Sequence, residues 1–313
     1  MPHQQKSPEG QVADAIKNSW VDQFAPISTR PYLRLSRLDR PIGTWLLYIP
    51  CVWGILLAAL HDSNLRLWDL WLILACGLGA LLMRGAGCTW NDITDRNYDA
   101  LVSRTKSRPI PSGQISVKNA LFWMLIQAFC ALGLLITFGS TAVIFGIAST
   151  CLVVVYPFAK RFTWWPQIFL GLTFNWGAII GWTSVTNSLS LYCIVLYLGC
   201  VFWTVGYDTI YAHQDKIDDE FLGLKSSAIF LGKKSKPAIS IFYSIFFISI
   251  SFLIISLDPI NKWLSYTLLA IVGFQLIRQI YLLDIDNPEI CQSIFKSNNS
   301  IGFLVFFLFF LLF

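Results

Sequence analysis

Charge is scarce in this sequence. Asp, Glu, Lys and Arg make up 13% of its 313 residues, where soluble domains run at roughly 25%. Histidine and methionine occur three times each, and the eight cysteines form no Cys-x-x-Cys pair. These shortages exclude a disordered chain, a coiled coil, an ordinary cytosolic enzyme and a zinc site of recognisable spacing. The cysteines fall mainly in apolar stretches and read as small core residues. What the chain does have is apolar surface: 55% of residues are hydrophobic and the mean hydropathy is +0.59. That balance predicts a polytopic membrane protein.

A helix crosses ~30 Å of hydrocarbon in roughly 17–25 apolar residues. Nine stretches come near this: Thr44–Leu60, Leu67–Trp90, Asn119–Phe138, Thr141–Pro157, Pro166–Val185, Leu191–Gly206, Ile239–Leu257, Leu264–Leu282 and a short Ser300–Phe313. The expected architecture is all-α: a polar N-terminal segment over 1–40, then a nine-helix membrane domain over 41–313. The N-terminal segment carries Glu9, Asp14 and Asp22 and no continuous apolar core. It resembles neither a signal peptide nor an Arg-rich transit peptide, so the first span is expected to insert the chain. With the N-terminus inside, only Arg66 and Lys262 of the 23 basic residues lie outside. This asymmetry fits an odd number of spans. The same asymmetry puts the N-terminus and the inner loops on the cytoplasmic side, and the lack of a transit-peptide pattern predicts a bacterial cell inner membrane, with a processed organellar form left open. Nothing in the sequence calls for a nucleic acid or names a protein partner.

Two inner loops, 91–118 and 207–237, are rich in acids. In the first, Asn91, Asp95 and Asp99 are spaced i, i+4, i+8, with Asp92 adjacent; in the second, Tyr211, Asp215 and Asp219 repeat that spacing, with Asp208 on the same side. Like charges stacked at i, i+4 repel and call for a compensating cation. All-oxygen ligands suit Mg²⁺, which keeps part of its water shell and takes substrate phosphate oxygens. Bases accompany the acids: Arg104, Lys106 and Arg108 after the first cluster, Lys225 after the second, Lys160 and Arg161 behind Tyr156, and Arg37 and Arg40 before span one. Acids that hold a divalent ion beside bases that contact phosphate describe a diphosphate–Mg²⁺ site. Solvated loops and positive-inside topology are the plainer alternative, and Lys233, Lys234 and Lys236 read as topology charge alone. An ion-coupled transporter fits less well, because it places ionisable groups near the midplane. Here Arg84 is the main charge inside a span.

The segments Leu38-Asp39-Arg40-Pro41-Ile42-Gly43, Asn91-Asp92-x-x-Asp95-x-x-x-Asp99, Arg104-x-Lys106-x-Arg108-Pro109, Tyr156-Pro157-x-x-Lys160-Arg161 and Asp208-x-x-Tyr211-Ala212-x-x-Asp215-x-x-x-Asp219 resemble the UbiA superfamily of intramembrane aromatic prenyltransferases. The likeness runs in order over about residues 30–235 and is most like the 4-hydroxybenzoate polyprenyltransferases of ubiquinone biosynthesis. It implies nine helices around a central cavity, capped by the two acidic loops. It implies that Asn91, Asp95, Asp99, Asp215 and Asp219 bind Mg²⁺-diphosphate. It implies that Arg104, Arg108, Tyr156, Lys160 and Tyr211 line the diphosphate or the reaction centre, and that Arg37 lies near the aromatic acid. The expected substrates are a polyprenyl diphosphate and 4-hydroxybenzoate, met within the lipid bilayer. Sister enzymes acting on haem, dihydroxynaphthoate or homogentisate share these motifs, so the acceptor stays open at this level. The base that removes the ring proton, a carboxylate or the released diphosphate, is open too.

Overall fold

A computed structural model describes Val12, residues 19–259 and residues 261–313; Glu9 and Asp14 lie outside the described residues. Among the described residues every regular element is helical, and nine helices are long and apolar enough to cross a membrane. They are α1 (Ile42–His61), α2 (Leu67–Thr94), α3 (Val117–Leu135), α4 (Ser140–Phe162), α5 (Pro166–Thr186), α6 (Leu191–Ala212), α7 (Ser227–Ser256), α8 (Lys262–Leu282) and α9 (Pro288–Phe310). The count matches the expectation, but several ends do not. Helices α2 and α6 run past the expected Trp90 and Gly206, to Thr94 and Ala212, and so carry Asn91, Asp92, Asp208 and Tyr211 themselves. A search for apolar residues stops where the acids begin, whereas backbone hydrogen bonding does not. In α4, Pro157 lacks an N–H, and a 3₁₀ turn at Tyr156–Phe158 bridges to Ala159–Phe162. Lys160 therefore sits on a helix end and not in the expected loop.

The ninth span is a full 23 residues and starts twelve residues before the expected Ser300. Asn287 accepts hydrogen bonds from the backbone N–H groups of Glu289 and Ile290, and Pro288 takes the first helical position. The polar stretch Gln292–Asn299 hid this helix from an apolar count. Its Asn298 is fully buried: Oδ1 accepts from Trp203 Nε1 at 2.8 Å and from the Tyr243 hydroxyl at 3.4 Å, and Nδ2 donates to the Ile294 carbonyl at 3.1 Å. Asn298→Leu should lower the thermal unfolding midpoint in detergent, because an unpaired buried Trp203 N–H costs about 1–3 kcal/mol. An unchanged midpoint would show that this amide is not structural.

The chain divides into two compact units, one from 1–44 with 79–133 and one from 45–78 with 134–313. In the first, Leu35, Ile93, Ile110, Ile115 and Ala120 form a core against Tyr32, Val117 and Trp123. This core fixes the loop after α2 to the short helix Arg30–Leu35. In the second unit, α6 packs against α5, α7 and α9. The Trp53, Trp203 and Phe246 rings pack with centroids 5.2–6.0 Å apart. Helices α1 and α5 approach so closely at Gly181 that a methyl group there would overlap the Cys51 carbonyl. Leu70, Leu74 and Leu78 make an exposed apolar column on α2, the face suited to lipid.

Candidate active site

The first acid cluster is not one continuous helical face. Helix α2 ends at Thr94, and a separate short helix spans Arg96–Asp99. The i→i−4 bonds nevertheless continue through the break, from Asp95 N to Asn91 O and from Asp99 N to Asp95 O, both 2.9 Å. In the second cluster α6 ends at Ala212 and the chain tightens, with Gln214 N bonded to Tyr211 O and Asp215 N to Ala212 O. The expected Tyr211–Asp215 stack is therefore replaced by a turn. Asp219 N then bonds Asp215 O at 2.8 Å within the helix Lys216–Phe221. The like-charged pairs Asp95–Asp99 and Asp215–Asp219 keep their i, i+4 spacing beyond the breaks, and Asp95 and Asp215 each stand at the start of a short helix, where the dipole favours an acid.

The two breaks are built alike. Asp95 (φ −99°, ψ 6°) and Asp215 (φ −102°, ψ 1°) precede their short helices in nearly the same conformation. Four residues on, a buried carboxylate takes a cation through both oxygens. Arg108 Nη1 donates to Asp99 at 2.9 and 3.0 Å, and Lys160 Nζ donates to Asp219 at 3.2 Å to each oxygen. The wider field is negative in both cases. Burial pushes the Asp99 carboxyl above its ordinary range, Arg108 pulls it back, and Asp92 and Asp95 push it up again. Asp215 and Asp208 act on Lys160 together with Asp219.

Arg37 stands at the end of the short helix Arg30–Leu35 with φ +57°, a left-handed conformation that costs a non-glycine residue about 1–2 kcal/mol. It is buried. Its Nη2 donates to Asp92 Oδ1 at 2.6 Å and its Nη1 to the Arg34 carbonyl at 3.1 Å. Arg108 also reaches Asp92 Oδ1, at 3.5 Å. Arg37, Asp92, Arg108 and Asp99 thus form one chain of alternating charge. Asp92 Oδ2 is buried and has no hydrogen-bond partner among the described residues.

The other expected residues are placed less centrally. Arg40 pairs with the buried Asp39 at 3.1 Å. Asn91, Arg104 and Tyr156 are half-buried, and Lys106 is exposed. Arg161 is exposed and lies 4.9 Å above the Phe158 ring. Lys225 Nζ donates to the Phe162 carbonyl at 3.3 Å and lies over Trp164. Tyr211 packs on Phe295 with centroids 4.6 Å apart. Burial, helped by Lys216 and opposed by Asp286, pushes the His213 ring down to about 4, so it stays neutral against Ser235 Oγ. Reading the motifs alone missed Ser36, Trp123 and Gln127, which bond to one another beside Arg37. The one available signal was a lone glutamine within an apolar span.

Among the described residues no three His, Cys, Asp or Glu side chains converge as a metal-binding group. The donor chemistry still fits a hard divalent cation. Every candidate is an oxygen donor, the acids burden one another electrostatically, and Asp92 Oδ2 has an unused lone pair in a buried setting.

Residues 47–311 match the UbiA prenyltransferase family. The chain is 48% identical over 299 residues to a protein of Bos taurus named "4-hydroxybenzoate polyprenyltransferase, mitochondrial", covering 94% of this chain and 77% of that one. The Arabidopsis thaliana protein of the same name is 43% identical over 290 residues, covering 92% and 70%. Among solved structures, a UbiA homolog from Aeropyrum pernix K1 superposes with a TM-score of 0.71 at 19% identity, covering 84% of this chain and 96% of that one. A UbiA homolog from Archaeoglobus fulgidus, bound to DMAPP and Mg²⁺, gives 0.68 at 18%, covering 90% and 98%. These two share the fold. The mitochondrial relatives overturn the expected bacterial inner membrane. That expectation rested on the lack of an Arg-rich leader pattern, and a leader is a targeting address separate from the folded membrane domain.

Proposed function

We propose that this chain, which belongs to the UbiA prenyltransferase family, transfers a polyprenyl group from a polyprenyl diphosphate to 4-hydroxybenzoate, on the ring carbon ortho to the hydroxyl. The reading places it in ubiquinone biosynthesis in a mitochondrial membrane. The observation that carries it is 48% identity over 94% of the chain to an enzyme of that name.

In this reading Asn91, Asp92, Asp95 and Asp99, with Asp208, Asp215 and Asp219, hold Mg²⁺, which when bound neutralises charge on the diphosphate oxygens. Lys160, Arg108 and Arg104 are the donors to those oxygens, and Lys106, Arg161 and Lys225 add positive potential at longer range. Cleavage of the allylic C–O bond sends its electron pair to the diphosphate and leaves an allylic cation. Preset donors favour that step because negative charge grows on the leaving oxygen. The Tyr156 and Tyr211 rings shield the cation through their faces. The ring carbon of 4-hydroxybenzoate then supplies the electron pair of the new C–C bond, and its proton passes to a carboxylate or to the released diphosphate, which restores aromaticity. Arg37, with Arg40 beside it, takes the carboxylate of the acceptor.

Purified protein with Mg²⁺, a long polyprenyl diphosphate and a panel of acceptors tests the whole reading. Product on 4-hydroxybenzoate is expected; product only on haem, dihydroxynaphthoate or homogentisate would overturn it. Arg37→Ala should raise KM for 4-hydroxybenzoate by about tenfold to a hundredfold, as expected for loss of a charge-assisted contact. If only the diphosphate KM moves, Arg37 serves the other substrate.

A further inference from the structure

We infer that Gln127 and Trp123, two residues of α3, are positioning residues that set the acceptor-binding geometry of Arg37 through Ser36. The inference rests on the reading of Arg37 as partner of the acceptor carboxylate.

Arg37 occupies a backbone conformation that arginine does not choose by itself. Something next to it must hold it there. Ser36, the residue immediately before, is buried and ends the short helix Arg30–Leu35. Its Oγ accepts from Trp123 Nε1 at 2.8 Å and from Gln127 Nε2 at 3.2 Å. Trp123 and Gln127 are i and i+4 on α3 and present adjacent donors on one face. Gln127 is itself buried, and its Nε2 also reaches the Trp123 carbonyl at 3.4 Å. The Trp123 ring is held edge-on to Tyr32, with centroids 5.6 Å apart. The serine is therefore clamped by a helix 87–91 residues away in the chain. There is no slack on the opposite side, because a methyl group at Gly85 would overlap Gln127 Oε1 and press on Ser36 Cβ.

A hydroxyl fixed by two donors leaves the following residue little freedom. The Arg37 N–H bonds to Arg34 O at 3.0 Å and the Leu38 N–H to Leu33 O at 3.0 Å, which completes the reversal. The guanidinium then lands on Asp92. A buried arginine aimed through a strained turn is sensitive to small backbone shifts, and misplacement of about 1 Å can cost ~10²-fold in rate. Gln127 and Trp123 reach Arg37 through Ser36, and so act as positioning residues.

The test is steady-state kinetics of the purified full chain with Mg²⁺, varying each substrate in turn. Gln127→Leu, and separately Gly85→Ala, should raise KM for 4-hydroxybenzoate by about tenfold with less than about twofold effect on the polyprenyl diphosphate KM. In the Arg37→Ala background, Gln127→Leu should have no further effect on the acceptor KM, as expected for groups acting through one another. If Gln127→Leu does not fold, Trp123→Phe deletes the indole N–H and keeps the ring against Tyr32. A rise in both KM values alike, or full additivity with Arg37→Ala, overturns the inference and leaves Arg37 assigned. An unchanged acceptor KM in Arg37→Ala alone overturns both.

Discussion

Asp215→Ala is expected to reduce Mg²⁺-dependent turnover by about 10³-fold or more while the purified protein keeps its thermal transition. The two halves of this result have separate causes. Asp215 starts the helix Lys216–Phe221 without a side-chain hydrogen bond to it, so its carboxylate does not stabilise the cap. It also stands close enough to Lys160 to act on its charge together with Asp208 and Asp219. Removing one of three like charges relaxes repulsion and leaves the Lys160–Asp219 pair intact. The loss therefore falls on metal and diphosphate binding, where each charged group contributes ~10²–10³ in rate. Asp95→Ala repeats the experiment in the other cluster, because Asp95 has the same conformation and also lacks a side-chain cap bond. Turnover near wild type in either variant would remove that cluster from the metal site.

Lys160→Met is the second large effect: kcat should fall by about 10²–10³, with little change in KM for the aromatic acid. The ammonium lies 3.2 Å from both oxygens of Asp219 and belongs to a helix end secured by the turn at Pro157. A diphosphate that develops charge at this point takes over part of the lysine's pairing, an interaction stronger in the transition state than before it. Lys160→Arg keeps the charge with different donor geometry and should restore part of the rate. Equal kcat in Lys160→Met and wild type would make this lysine purely a partner of Asp219. A drop in thermal stability alone would say the same.

The fold was legible because lipid imposes one strong constraint: spans must be long, apolar and helical. The odd number of spans expected from so few misplaced bases agrees with the nine long apolar helices among the described residues. The ends were not legible, because Asn91, Asp92 and Asp208 look like loop residues by polarity yet continue their helices. The start of helix α9 was hidden for the same reason, since the burial of Asn298 against Trp203 and Tyr243 is a tertiary fact. In the candidate site, the acids announced themselves by spacing, but the breaks at Asp95 and Asp215 did not. Arg37 could be picked out beside the first span, whereas its commitment to Asp92, 55 residues on, could not. Residues such as Gln127 carry no local signature, and only packing brings them to Ser36.

The first acid turn differs from the Arg37 turn in how far along the chain its supports lie. Asp95 and Asp99 are tied by backbone bonds four residues long, and Arg108 lies only nine residues beyond Asp99. Arg37 depends on partners 55 and, through Ser36, 91 residues away. Departure of the diphosphate is common to every prenyl transfer, and in the proposed reading Asp95, Asp99 and Arg108 would serve it as a short cassette. With Arg37 as the proposed partner of the acceptor carboxylate, recognition of the acceptor would be distributed over remote helices. On that reading, substitutions that never touch a substrate would retune it, which makes acceptor choice the more easily altered property of this scaffold.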